Sequence, residues 1–178
     1  MPLHIGIVAC SAEGAALCYR TICMEGAQMM GRHDHPEVSM HTHSLAEYMK
    51  RVDRADWMGV AELMLSSAHK LARIGADFLI CPDNTIHQAF AHVEPRSALP
   101  WLHIVDVVAD CAVERGFRRL GLTGTRSLVE SKVYPEKLQV RGLECVRANA
   151  IEREAINRII LDELVNGVFT VDAVAYFQ

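Results

Sequence analysis

The sequence predicts an α/β protein built on doubly wound parallel sheets, and three observations predict it. Short apolar or β-branched runs alternate with amphipathic stretches at helical spacing, so that strand, helix, strand, helix, strand is complete by Cys81. The run Phe78-Leu79-Ile80 is too short for a helix and suits a strand buried on both faces. It stops at Pro82, which cannot donate to a sheet ladder. After a break between Pro95 and Pro100 the same alternation begins again, dividing the chain into an expected first unit, 1–97, and a second, 98–178.

Composition narrows the class. Of 178 residues 51% are apolar, enough for a sizeable core, and 22% are charged, the usual share for a globular chain. A net charge of -4 without any run of Lys and Arg offers no basic face, so no nucleic-acid partner is expected. No apolar stretch approaches the length of a bilayer span, and no basic-then-apolar leader opens the chain, so no membrane partner and a cytoplasmic location are expected. The six cysteines include no C-x-x-C pair and read as free thiols in a reducing compartment.

In order, His4 to Ala9 is the first strand. Cys10-Ser11-Ala12-Glu13-Gly14 then turns the chain into a helix over about Ala15 to Glu25, with Ser11 as N-cap. The small residues there let backbone N–H groups face a carboxylate or phosphate at the helix start. Val38 to His43 is the second strand, with Ser39, His41 and His43 on one face and Val38, Met40 and Thr42 on the other. With His33 and His35 it places four imidazoles within eleven residues, yet no recognised zinc spacing, so no metal is expected. Asp56 caps a helix from Trp57 to Arg73, whose stripe Val60, Leu63, Met64, Ala68, Leu71 and Ala72 is a core face, and Gly75 ends it. Past Pro82 come a carboxylate, an amide, a hydroxyl and an imidazole, Asp83 to His87, at the carboxyl end of a strand, where open α/β sheets gather ligands. A helix is expected over Thr85 to Val93, capped by Asn84 or Thr85.

The second half repeats the grammar. Trp101 to Ile104, Arg119 to Thr123 and Leu143 to Arg147 are strands. Asp106 to Glu114, a stretch from Leu128, and Ile151 to Asn166 are helices, and Thr123 to Ser127 forms a second polar loop. Thr170 caps a last helical stretch of about two turns, too short to be stable alone.

Several segments, taken together, resemble the aspartate/glutamate (Asp/Glu/hydantoin) racemase superfamily. They are Ile5-Gly6-Ile7-Val8, His35-Pro36-Glu37-Val38, Gly75-Ala76-Asp77-Phe78, Asn84-Thr85-Ile86-His87, Leu99-Pro100, Gly121-Leu122-Thr123-Gly124-Thr125, Val133-Tyr134 and Ile156-Asn157-Arg158-Ile159-Ile160. The most specific is the Pro-Cys-Asn-Thr-Ala-His motif, present as Pro82-Asp83-Asn84-Thr85-Ile86-His87. The resemblance implies two flavodoxin-like units related by a pseudo-two-fold. It implies a cofactor-independent amino-acid racemase in which two cysteines face opposite sides of the substrate α-carbon. One thiolate removes the proton and the other thiol returns it. It further implies that Asn84, Thr85, Thr125 and the Cys10-Ser11 loop bind a small amino-acid or carboxylic-acid substrate. The expected assembly is a homodimer.

The sequence departs from that pattern in three places. Asp83 stands where the family has its first cysteine, with Cys81 two residues earlier, so both are candidate catalytic groups. The family's Gly-Cys-Thr-Glu motif, carrying its second cysteine, would follow the stretch that Thr170 opens, so the last strand-helix segment is expected to be missing. Where aspartate-specific members place an Arg, Met49 stands beside Lys50 and Arg51, so aspartate specificity is not implied. Decarboxylases or isomerases of the superfamily with one cysteine, and a carboxylate-binding homologue without turnover, are the alternatives.

Overall fold

The computed structural model describes residues 2–178, and the chain divides into two compact units after Ile104. In the first, β1 (Ile5–Ala9) leads to α1 (Ala12–Met30), and β2 (Val38–Thr42) to α2 (Leu45–Val52) and α3 (Trp57–Arg73). Then β3 (Phe78–Ile80) is followed by a 3₁₀ turn (Asn84–Ala89), α4 (Phe90–Val93), a second 3₁₀ turn (Glu94–Arg96) and β4 (Trp101–Leu102). All pairings are parallel, in the order β2-β1-β3-β4, with Ile5 opposite both Val38 and Phe78, and Leu79 opposite Trp101. The sheet is covered on both faces, as parallel sheets require. Ile7 and Ala9 pack with Ala15 of α1, while Val8 packs with Val60, Met64 and Leu71 of α3. Gly6 lets α3 and β3 close on β1, since a Cβ there would lie 2.6 Å from Leu79 Cδ2 of β3 and 3.4 Å from Leu71 Cβ of α3.

The second unit begins within α5 (Ile104–Glu114) and continues through β5 (Arg119–Leu122), α6 (Arg126–Val129) and α7 (Val133–Val140). After these come β6 (Glu144–Arg147), α8 (Ala150–Asp162), a 3₁₀ turn (Leu164–Asn166) and α9 (Val171–Tyr176). β5 and β6 form a two-stranded parallel sheet, Arg119 opposite Glu144. Ala109, Ala112, Leu138 and Leu143 make its core, and Asn149 with Glu152 closes a capping box on α8. No helix among the described residues is long and apolar enough to cross a membrane.

The parallel α/β architecture agrees with expectation, and the Trp57–Arg73 helix has the expected bounds, with Asp56 accepting from the Gly59 N–H. Gly75, φ +93°, follows the end of that helix. Among the differences, Ile104 opens α5 instead of ending a strand, the helix expected over Ile151 to Asn166 gives way to a 3₁₀ turn after Asp162, and four others follow. The division falls after Ile104, not 97, because Trp101–Leu102 pairs with β3 and so belongs to the first sheet. α1 starts at Ala12 and runs to Met30, well past Glu25. The stretch after Asn84 opens as a 3₁₀ turn, and the Asp83 side chain at its cap position bonds the loop after β1 instead of the turn. Finally, α2 had no predicted counterpart, although Ser44-Leu45-Ala46-Glu47 is an S-x-x-E start signal and Leu45, Tyr48 and Val52 share its inner face.

Candidate active site

In this strand order the chain leaves β1 for β2 on one side and returns to β3 on the other. The loops after β1 and β3 therefore leave on opposite sides, and such a switch point at the carboxyl ends of the strands is where open α/β sheets gather ligands. Cys10 and Ser11 follow β1, and Asp83 follows β3. Asp83 bridges the two loops: its Oδ2 accepts the Cys10 N–H at 3.0 Å, and its Oδ1 accepts the Ser11 N–H at 3.0 Å and the Ser11 hydroxyl at 2.5 Å. Gly14 makes room for this, since a Cβ there would lie 2.8 Å from Ser11 Oγ and 3.7 Å from Asp83 Oδ1. Ser11 occupies the N-cap position of α1, but its side chain makes no capping bond to the helix because it turns to Asp83.

Two effects oppose each other on this carboxyl. Bonds from Ser11 and Cys10, at the positive end of α1, favour the charged form. Burial disfavours it and is the larger, so the Asp83 pKa lies above the ordinary carboxylate range. A carboxylate raised in this way is a stronger base than one in water. The carboxyl also pushes nearby thiols up, adding to their own burial at Cys10 and Cys18.

Cys81 does not join these groups. It is 2% exposed, lies in the α3-side core with Val8 and Tyr48, and its Sγ donates to the Asp83 carbonyl at 3.7 Å. Burial, reinforced by the Asp83 charge, holds its thiol protonated. His87 supports the same loop, its Nδ1–H donating to the Asp83 carbonyl at 3.1 Å, while its ring stacks on Phe90 at 5.3 Å. Gly14, Cys18 and His87 were not among the predicted site residues. His87 belongs to the quoted motif, and Gly14 and Cys18 lie one and two turns along α1 from Ser11, a spacing legible once the helix start is known.

Asn84 and Thr85 come next on the chain, half-exposed in the 3₁₀ turn, with the Thr85 carbonyl accepting from Gln88 Nε2. Thr125 lies in the second unit, where its Oγ1 caps α6 through the Leu128 N–H at 3.3 Å. The cations beside Met49 are already engaged, since Lys50 and Arg51 both bond Glu47, at 3.0 and 3.1 Å.

The sequence model of the Asp/Glu/hydantoin racemase family matches residues 7–177. A broad specificity amino-acid racemase of Bacillus subtilis is 25% identical over 127 residues, covering 71% of this chain and 54% of that protein. The chain thus spans about half the length of this relative. A crystal structure of a Yersinia pestis protein, provisionally assigned as an Asp/Glu racemase, superposes with a TM-score of 0.85 at 27% identity, covering 98% of this chain and 77% of the other. A Pyrococcus horikoshii structure described as an aspartate racemase homologue gives 0.77 at 29% identity, covering 94% of this chain and 74% of the other.

Proposed function

The chain belongs to the Asp/Glu/hydantoin racemase family, and from that premise we propose that it takes part in cofactor-independent racemisation at the α-carbon of a small amino acid, with Asp83 as one of the proton-transferring groups. One observation carries this reading: a half-buried carboxyl, raised in pKa by desolvation, stands at the switch point where the family places a thiol. An α-proton next to a carboxylate is weakly acidic, so its removal needs both a strengthened base and donors for the charge that builds on the substrate carboxylate. Asp83 supplies the first. On taking the proton it loses its charge, and the Cys10 and Ser11 N–H groups then have a weaker acceptor and can turn to the substrate carboxylate. Asn84 and Thr85 are assigned to the same carboxylate. The broad specificity of the Bacillus relative, and the engagement of Lys50 and Arg51 by Glu47, support a substrate without an obligatory acidic side chain.

A second reading has its own support. Both Asp83 oxygens are bonded to the chain's own loop, so the site already holds a carboxylate among its donors. On that reading Asp83 is a staple, and the site binds small acids without turnover.

Proton NMR of a panel of amino acids in deuterated buffer separates the two. Racemisation predicts loss of the α-proton signal with the unaltered protein, none with Asp83→Asn, and partial recovery with Asp83→Cys, which restores the family thiol. Binding without exchange in every form establishes the staple. Exchange that Asp83→Asn leaves unchanged removes Asp83 from the chemistry.

A further inference from the structure

The outward side of α3 carries a second polar site, away from the Asp83 loop. Ser66, His69, Lys70 and Arg73 recur at i, i+3, i+4 and i+7, which puts them on one helix face, opposite the buried Val60, Met64 and Leu71. Arg96 and Glu62 close this face into a concavity of about 370 Å³, floored by Leu65. The charges are unbalanced. Three cations face one carboxylate, and Glu62 is bonded to Arg96 at 2.6 Å. Among the described residues neither Lys70 nor Arg73 meets a carboxylate. The Lys70 ammonium instead donates to His41 Nε2 at 2.8 Å, which fixes His41 as a neutral ring whose Nδ1–H donates to Ser67 Oγ at 2.9 Å. His43 approaches the same face, its Nε2 3.2 Å from Ser66 Oγ. Two unmatched cations one turn apart on a helix repel each other, and the chain as a whole is negative, so this positive concavity is a local exception.

We infer that this concavity on α3 binds a small oxyanion of the phosphate or dicarboxylate class, through the Lys70 ammonium and the Arg73 guanidinium. An Arg presents a planar fork that matches either anion bidentately, and a Lys adds a point charge. Ser66 adds a hydroxyl to the wall. Burial and the Lys70 charge both hold the His41 and His43 rings neutral, so a bound anion that offsets Lys70 alters their surroundings without entering the core. The Asp83 loop takes no part, so the inference stands apart from the proposed racemase chemistry.

Two-dimensional amide and imidazole NMR tests it, with inorganic phosphate and succinate titrated separately at an ionic strength held constant with sodium chloride. Saturable shifts at Ser66, His69, Lys70 and Arg73, and in the His41 ring, are expected. Lys70→Ala with Arg73→Ala should weaken binding at least tenfold, and Arg73→Gln alone several-fold. The Lys70 and Arg73 side chains are exposed, so the fold should be retained. Saturation by phosphate alone assigns a phosphoryl ligand, by succinate alone a dicarboxylate, and by both an unselective oxyanion site. Shifts reproduced by sodium chloride, affinity unchanged in the double variant, or shifts confined to Cys10, Ser11 and Asp83 would overturn the inference.

Discussion

Ser11 donates twice to one oxygen of Asp83, its backbone N–H at 3.0 Å and its hydroxyl at 2.5 Å, across 72 residues of sequence. This pair ties the loop after β1 to the loop after β3 and sets the geometry at the sheet's switch point. Ser11→Ala removes the hydroxyl half. A hydrogen bond to a charged group contributes about 1.5–3 kcal/mol, so urea unfolding should show a loss of that order. The same variant should raise the Asp83 pKa further, because the lost bond favoured the charged form. A carbon-13 pH titration of the Asp83 carboxyl would read this directly, and a downward move would contradict it.

The raised Asp83 pKa has a signed effect on stability. Below the ordinary carboxylate range Asp83 is protonated in both folded and unfolded chains. As pH rises, the unfolded chain ionises first while the folded one holds its proton, so stability falls until the raised folded pKa is passed and is level above it. Glu47 and Glu62, whose pKa values are lowered by Lys50 and Arg96, act in the opposite sense. The difference between the unaltered protein and Asp83→Asn therefore isolates the Asp83 contribution. That difference should change with pH through the carboxylate range and become level above the raised pKa. A difference independent of pH would contradict the shift.

Thiol chemistry should sort the cysteines by burial. Cys10 and Cys81 are 7% and 2% exposed, and burial raises both pKa values, so the reactive thiolate is scarce as well as shielded. In a timed iodoacetamide reaction read by peptide mass spectrometry, Cys10 and Cys81 should label last, after the half-buried Cys111. Early labelling of Cys81 would show the core beneath the loop to be open.

Gly6→Ala tests the close approach in β1. The added methyl meets Leu79 Cδ2 at 2.6 Å, which a rotamer change can relieve, and Ala76 Cβ at 3.1 Å, which is less free to move. Overpacking of this kind costs about 1–3 kcal/mol. Thermal unfolding should show the loss, and a neutral result would mean that β1 and β3 shift without strain.

By itself the sequence determined the parallel α/β class, the bounds of the Trp57–Arg73 helix and the polar loops after the strands. Each of these depends on local grammar: the period of apolar positions, a capping Asp56, a Pro82 that ends pairing, a Gly75 that takes positive φ. Family membership was legible for a related reason, since the order and spacing of its motifs survive in the chain. What only the tertiary structure decided was where side chains go once strands are ordered. Asp83 and Cys81 are two apart on the chain, and the sequence leaves both as candidate catalytic groups. The strand order β2-β1-β3-β4 brings the β1 loop across to Asp83 and leaves Cys81 inside the core. Trp101–Leu102 likewise joined the first unit because β3 offered it a free edge, a partner that no local pattern names. The pairing of Lys70 with His41 also depends on that order, because it joins a helix to an edge strand 29 residues away. Sequence separation hides such contacts because the free energy that selects them, burial and hydrogen bonding between distant segments, belongs to the packed chain and not to any window of it.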